Sequence, residues 1–111
     1  MSIETLNHYQ VQVLRTANES HGRDWEKMVC GLGLAGEAGE VTDLIKKEVG
    51  HGHEAKSLKV MEELGDVLWY VARLSDLYGY TLSEVATFNV DKLKARYPDG
   101  FSTERSVNRA G

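Results

Sequence analysis

Residues 59–74, KVMEELGDVLWYVARL, decide the fold. Wound at about 100° per residue, they gather Lys59, Glu62, Glu63, Asp66, Tyr70 and Arg73 into a polar band roughly 100° wide. The rest of this helix is apolar or small: Val60, Met61, Leu64, Gly65, Val67, Leu68, Trp69, Val71, Ala72 and Leu74. So broad an apolar sector is more than one neighbouring helix can cover. The pattern predicts a central helix packed on several sides, which a homodimer supplies more readily than a monomer of four helices.

Working outward, residues 34–47, LAGEAGEVTDLIKK, belong to a preceding helix predicted over about 25–49. Gly31, Gly33, Gly36 and Gly39 each weaken it by about 1 kcal/mol relative to alanine, so close approach of another backbone or of a ligand is expected there. Gly50 stops the helix, and Lys46 and Lys47 suit the negative end of its dipole. His51-Gly52-His53 is a short connection into the central helix, predicted over about 54–78 and ended by Gly79. Further out, Ile3, Leu6, Val13, Leu14 and Ala17 mark an amphipathic first helix over 3–18, and Asp24 is expected to cap the second. Thr81-Leu82-Ser83-Glu84 has the form of a capping box that opens a fourth helix, and Pro98 ends it. Val85, Asn89, Lys92 and Arg96 share one face of that helix. The expected architecture is therefore all-α, with four helices, the second and third forming the core and a homodimer completing it. The tail after about residue 101 is polar, aperiodic and expected to be loose.

At 111 residues the chain fits a single domain, 1–111. A formal charge of −4, with both signs interspersed, argues against a nucleic-acid binder, which would carry a basic stripe. One cysteine, Cys30, gives neither an intramolecular disulfide nor a zinc framework and reads as a small buried hydrophobe. No apolar run has membrane-spanning length, and the first ten residues lack the apolar core of a signal peptide, so a reducing, cytoplasmic setting is the expectation.

Two acidic pairs carry the chemistry. Glu37 and Glu40 stand i, i+3 on the second helix, and Glu63 and Asp66 stand i, i+3 on the third. If these helices are antiparallel neighbours, the pairs can meet across the interface. Four converging carboxylates raise one another's pKa values unless a cation lies among them. Hard oxygen donors select magnesium, manganese or calcium, and magnesium recruits substrate phosphates to complete its shell. Lone acidic pairs of this spacing are usually solvated surface charges; two of them in strongly apolar helices favour a metal site.

Glu37-x-x-Glu40, twenty-two intervening residues and then Glu63-x-x-Asp66 resemble the signature of the MazG-like nucleoside triphosphate pyrophosphohydrolases, in the all-α NTP pyrophosphatase superfamily. The resemblance continues through residues 89–101, NVDKLKARYPDGF, and covers about 32–101. It implies hydrolysis of a ribo- or deoxynucleoside triphosphate between the α- and β-phosphates, releasing a monophosphate and pyrophosphate, as housecleaning of nucleotide pools. It implies Glu37, Glu40, Glu63 and Asp66 as catalytic ligands of Mg2+, with Mn2+ as a substitute. Lys59, Lys92 and Arg96 match positions that contact phosphate, and Tyr70 and Asn89 match positions near sugar or base. The implied assembly is a homodimer or a dimer of dimers. Many members carry Glu-Glu-x-x-Glu, whereas this chain has Gly36 before Glu37, which bears on metal count and on the identity of the general base.

Other patterns are weaker. His51 and His53 read as loop residues, and Glu48-x-x-His51 has no second copy to make a di-iron bundle. Trp25 and Trp69 read as packing residues before base-stacking ones. The competing functional class is a non-catalytic helical dimer that binds nucleotide or a partner protein through the acidic cleft.

Overall fold

Among the described residues five α-helices form, three of them opened by side-chain caps at Thr5, Thr81 and Ser102. The computed structural model describes residues 1–109. Thr5 opens α1 (Leu6–Val13) by accepting from the His8 backbone N–H at 3.0 Å. This helix is half the length its apolar spacing predicts: the Arg15 and Thr16 amides bond three residues back, to Gln12 and Val13, and the chain leaves helical geometry. The second helix, α2 (Arg23–Ile45), starts at Gly22, whose φ of +85° reverses the chain, so Asp24 lies in the first turn and is not the cap. A π-helical turn, Lys46–Gly50, extends α2, with Lys46 and Lys47 both paired to Asp43.

Next, α3 (Ser57–Leu77) begins three residues later than predicted, because the connection reverses through Gly52 (φ +69°) and is held by the His53 amide on the Lys47 carbonyl. Gly79, with φ +83°, ends it. The capping box of Thr81 and Glu84 is formed in full and starts α4 (Leu82–Arg96). The expected loose tail instead holds a fifth helix, α5 (Thr103–Val107), capped by Ser102, so the described residues form five α-helices where four were expected. Among the described residues no helix is long and apolar enough to cross a membrane.

α2 and α3 form the most extensive contact in the chain. Their pairing is antiparallel: Glu26 meets Arg73, Gly33 meets the Tyr70 ring, and Glu37 meets Glu63 and Asp66, so numbers rise on one helix as they fall on the other. The polar band of α3 is therefore the face turned to α2. Gly33 leaves room there for the Tyr70 ring, which a β-carbon at that position would force to shift. Gly31, Gly36 and Gly39 face open space, contrary to the expectation of close approach along the whole series.

The opposite side of α3 receives α1 and α4. The core there is small: Val13, Ala72 and Leu82, with Tyr9, Trp69 and Val71 packed against them. Buried Gln10 clasps it, its Nε2 donating to the carbonyls of Ala72 (3.3 Å) and Tyr80 (3.0 Å) while its Oε1 accepts from the Leu82 amide (2.9 Å). Only the C-terminal half of α3 is covered. Leu58, Met61, Leu64 and Leu68 are exposed, as are Met28 and Leu32 of α2. The radius of gyration, 17.0 Å, exceeds the roughly 13 Å expected for a closed domain of this length.

At one end of the seam Arg73 is buried and forms a two-pronged pair with buried Glu26, assisted by Asp76 at 2.9 Å. Arg23 ties the same end by donating to the Leu77 carbonyl at 2.5 Å. Cys30 lies nearby and buried, and burial followed by the Glu26 charge pushes its thiol up from the ordinary 9.0, which suits an inert packing role. Glu26→Ala strands the Arg73 charge and is expected to cost about 3 to 5 kcal/mol in urea unfolding at fixed protein concentration. Replacing both partners, Glu26→Leu with Arg73→Met, is expected to recover most of that loss.

Candidate active site

Beyond Tyr70 along the seam, Glu37 of α2 and Glu63 and Asp66 of α3 each bring one carboxylate oxygen to within 4.8 Å of the others. The i, i+3 spacing places Glu63 and Asp66 on one face, and the antiparallel pairing sets Glu37 opposite them. Glu63 is buried, Glu37 half-buried and Asp66 exposed, so the group opens to solvent on one side. Glu40, the fourth predicted ligand, is exposed and stands outside the trio.

The electrostatics are those of crowded carboxylates. Glu37 is pushed up from 4.5 to about 7, first by sharing a hydrogen bond with Glu63, then by burial and the charges of Glu63, Asp66 and Glu40. Glu63 moves down, because Glu37 donates to it and Lys59 does too. The Lys59 ammonium lies 3.1 Å from Glu63 and 3.7 Å from Glu62, one turn before the trio, and these partners raise its pKa. A proton thus offsets part of the repulsion. Divalent cations with a preference for oxygen fit the donor set, which contains carboxylates and no thiolate or imidazole. His51 and His53 lie exposed on the loop and do not join it.

A cleft of about 420 Å³ adjoins the trio, lined by Glu37, Asp66, Thr16, Trp69 and Tyr70. Tyr70 is thus beside the carboxylates, its ring edge-on to Trp69 with centroids 5.1 Å apart. The Trp69 indole donates to the Thr16 hydroxyl at 2.8 Å, so the end of α1 closes one wall. Neither Thr16 nor Trp69 was predicted as a cleft residue. Trp69 had a signal, since it follows Asp66 at i+3 on the polar edge of the band. Thr16 had none, because it follows α1 without a pattern. Trp25 stacks on His21 with centroids 4.1 Å apart.

The cations of α4 lie elsewhere. Lys92 and Arg96 line a separate cavity of about 680 Å³ together with Ser102, Arg105, Asn108 and neighbours, and this cavity shares no residue with the carboxylate cleft. Asn89 is exposed on α4 and lines neither. Of the three cations predicted opposite the acids, a single chain brings only Lys59 to them.

Comparison with known proteins bears on this arrangement. The family model described as MazG nucleotide pyrophosphohydrolase domain matches residues 27–101, which include both acidic pairs and the α4 cations. The chain is also similar to the "Gene 37 protein" of Mycobacterium phage L5, 37% identical over 82 residues that cover 70% of this chain and 72% of the phage protein. No solved structure matches the chain.

The Glu37 shift fixes the sign of a pH effect in metal-free protein. Its folded form holds the proton more tightly than the unfolded chain, so stability is expected to fall as pH rises from 4.5 to about 7. Glu63, shifted down, acts below that window. Thermal melts in a chelator should show the decline, and Glu37→Gln should flatten it. Mg2+ or Mn2+ should raise Tm more at pH 8 than at pH 5, since binding must displace the proton; equal shifts at both would argue against the trio as the cation site.

Proposed function

The chain belongs to the MazG nucleotide pyrophosphohydrolase family, and on that premise we propose that it hydrolyses nucleoside triphosphates between the α- and β-phosphates, releasing a nucleoside monophosphate and pyrophosphate, with Mg2+ or Mn2+ as cofactor. The observation that carries this reading is the convergence of Glu37, Glu63 and Asp66 oxygens within 4.8 Å beside an open cleft. Phosphoryl chemistry needs positioning and charge neutralisation more than covalent help. Glu37, Glu63 and Asp66 would hold the cation, and Glu40, expected as a fourth ligand, stands outside them. When bound, it would neutralise phosphate oxygens and orient them for in-line attack.

The remaining roles fall to the chain's own groups. Lys59 holds Glu63 in place by its ion pair and offers its ammonium to phosphate. Glu40, outside the trio, is the carboxylate left to accept the proton of the attacking water, a role to which Gly36 contributes no acid. Tyr70, with Trp69 behind it, walls the cleft on the side where sugar or base would lie. Lys92 and Arg96 bind phosphate and Asn89 assists from the same face of α4.

A second copy of the chain completes the assembly in this proposal, as a homodimer or a dimer of dimers. Leu58, Met61, Leu64 and Leu68 form an exposed apolar stripe on α3, and Met28 and Leu32 extend it on α2. Burying such a stripe favours association, at about 25 cal/mol per Å² of apolar surface. A partner would also carry its own α4 cations toward the carboxylates that lack them in one chain. A nucleotide-pool role in a reducing, cytoplasmic setting completes the proposal.

Incubation with a panel of ribo- and deoxynucleoside triphosphates plus Mg2+ should yield monophosphate and pyrophosphate. Orthophosphate alone, or no turnover of any nucleotide, rejects the proposal; metal-dependent binding without pyrophosphate release would favour a non-catalytic module. Asp66→Asn and Glu63→Gln should lower kcat by more than about 100-fold, since even outer partners of metal ligands are worth 10- to 100-fold, and should abolish the metal-induced Tm shift. Glu40→Gln should lower kcat by about 100-fold or more while keeping that shift. Light scattering should give at least a dimer, and Met61→Asp with Leu64→Asp should produce monomers.

A further inference from the structure

The sequence RYPDGF, residues 96–101, turns the chain after α4 so that α4 and α5 line one cavity. The Tyr97 amide closes α4 by donating to the Leu93 carbonyl at 2.8 Å, and Gly100, at φ +90°, donates back to the Tyr97 carbonyl at 3.1 Å. The Tyr97 and Phe101 rings pack across this turn with centroids 5.4 Å apart. Ser102 then starts α5 by accepting from the Arg105 amide at 3.1 Å. The reversal places Arg105 on the wall of the 680 Å³ cavity that holds Lys92 and Arg96, with Arg109 beyond it.

The charge of this cavity is unbalanced. Four cations line it against one carboxylate, Glu104. Elsewhere Lys46 and Lys47 pair with Asp43, Lys59 with Glu62 and Glu63, and Arg73 with Glu26 and Asp76. Among the described residues Lys92, Arg96 and Arg105 have no carboxylate within 4.0 Å. Like charges gathered on one concave wall attract a counter-anion, and a guanidinium fork matches phosphate oxygens in pairs. In a chain of net charge −4 that gathers four cations on one cavity, the fitting ligand is a compact polyphosphate, since a nucleic-acid backbone would want a stripe.

We propose that Arg105 of α5 is a phosphate-binding residue that joins Lys92 and Arg96 to form a site for pyrophosphate or for the β- and γ-phosphates of the substrate. This rests on the reading of Lys92 and Arg96 as phosphate contacts, and it adds a residue beyond 27–101, the part of the chain that the family model covers. It gives the C-terminal helix a function: α5 carries a cation to the open side of α4, and the RYPDGF turn fixes where it arrives.

The test is calorimetric titration of the chelator-treated protein with sodium pyrophosphate, for wild type, Arg105→Gln, Arg105→Lys and Lys92→Gln. Arg105→Gln should weaken binding by about tenfold or more, the range for one charge-assisted pair. Arg105→Lys should fall between it and wild type, because the charge remains and the fork is lost. Arg105 is exposed, so unchanged melting curves are expected and would show that the loss is not unfolding. Wild-type affinity in Arg105→Gln, or no pyrophosphate binding by the wild type, overturns the inference. Nucleotide hydrolysis assayed in parallel separates the two claims. Turnover with unchanged pyrophosphate affinity in Arg105→Gln rejects the α5 site alone, whereas weakened affinity without any turnover supports the site and rejects the hydrolase reading.

Discussion

The structure depends on a polar seam between two antiparallel helices. α3 turns Glu63, Asp66, Tyr70 and Arg73 toward α2, and α2 answers with Glu37, Gly33 and Glu26. At one end the seam is neutralised by Arg73 on Glu26, and the helices are clamped. In the middle Tyr70 occupies the space that a side chain at Gly33 would fill. Toward the other end the charges have the same sign, and only a proton on Glu37 and the ammonium of Lys59 offset them. Rigidity and reactivity thus lie along one line, with the ion pair holding in register the carboxylates that repel.

Such a seam inverts the usual helical arrangement, in which polar residues face water and apolar ones face the neighbour. The apolar side of α3 is served by α1 and α4 only around Ala72, where the small core lies. Leu58, Met61, Leu64 and Leu68 are left outside. The extended shape and this stripe have a common origin: the chain commits the polar face of α3 to its own α2 and leaves much of the apolar face exposed. The carboxylate trio lies in the intramolecular seam, so its three side chains come from one chain.

The sequence was legible where a single helix carried the signal. The 59–74 band, the capping box at Thr81 and Glu84, and the stop at Gly79 need only local geometry, and all are present. The acidic pairs were legible because i, i+3 spacing and antiparallel pairing suffice to bring Glu37, Glu63 and Asp66 together. Glu40 failed to join them because the same spacing on α2 turns it past the contact, leaving it exposed. The glycines misled, since Gly36 and Gly39 face open space and only Gly33 meets a neighbour. Thr16 and α5 were beyond reach: one enters the cleft through the tertiary docking of α1, and the other forms because a turn at Gly100 returns five residues to α4.

The separation of the two charged regions has a physical reason of its own. Lys59, close to Glu63, already forms an ion pair with it, and any cation binding there competes with that ammonium. Had Lys92 and Arg96 stood as near, they would pair with Asp66 and Glu37 in the same way, and both a metal ion and a phosphate would have to break those pairs to enter. Holding the acids on α2 and α3 and the bases on α4 and α5, in cavities that share no residue, keeps each set available. A ligand that carries a divalent cation and a polyphosphate together would suit both sets. A metal–triphosphate complex has that composition, so the division of charge supports the substrate class proposed above.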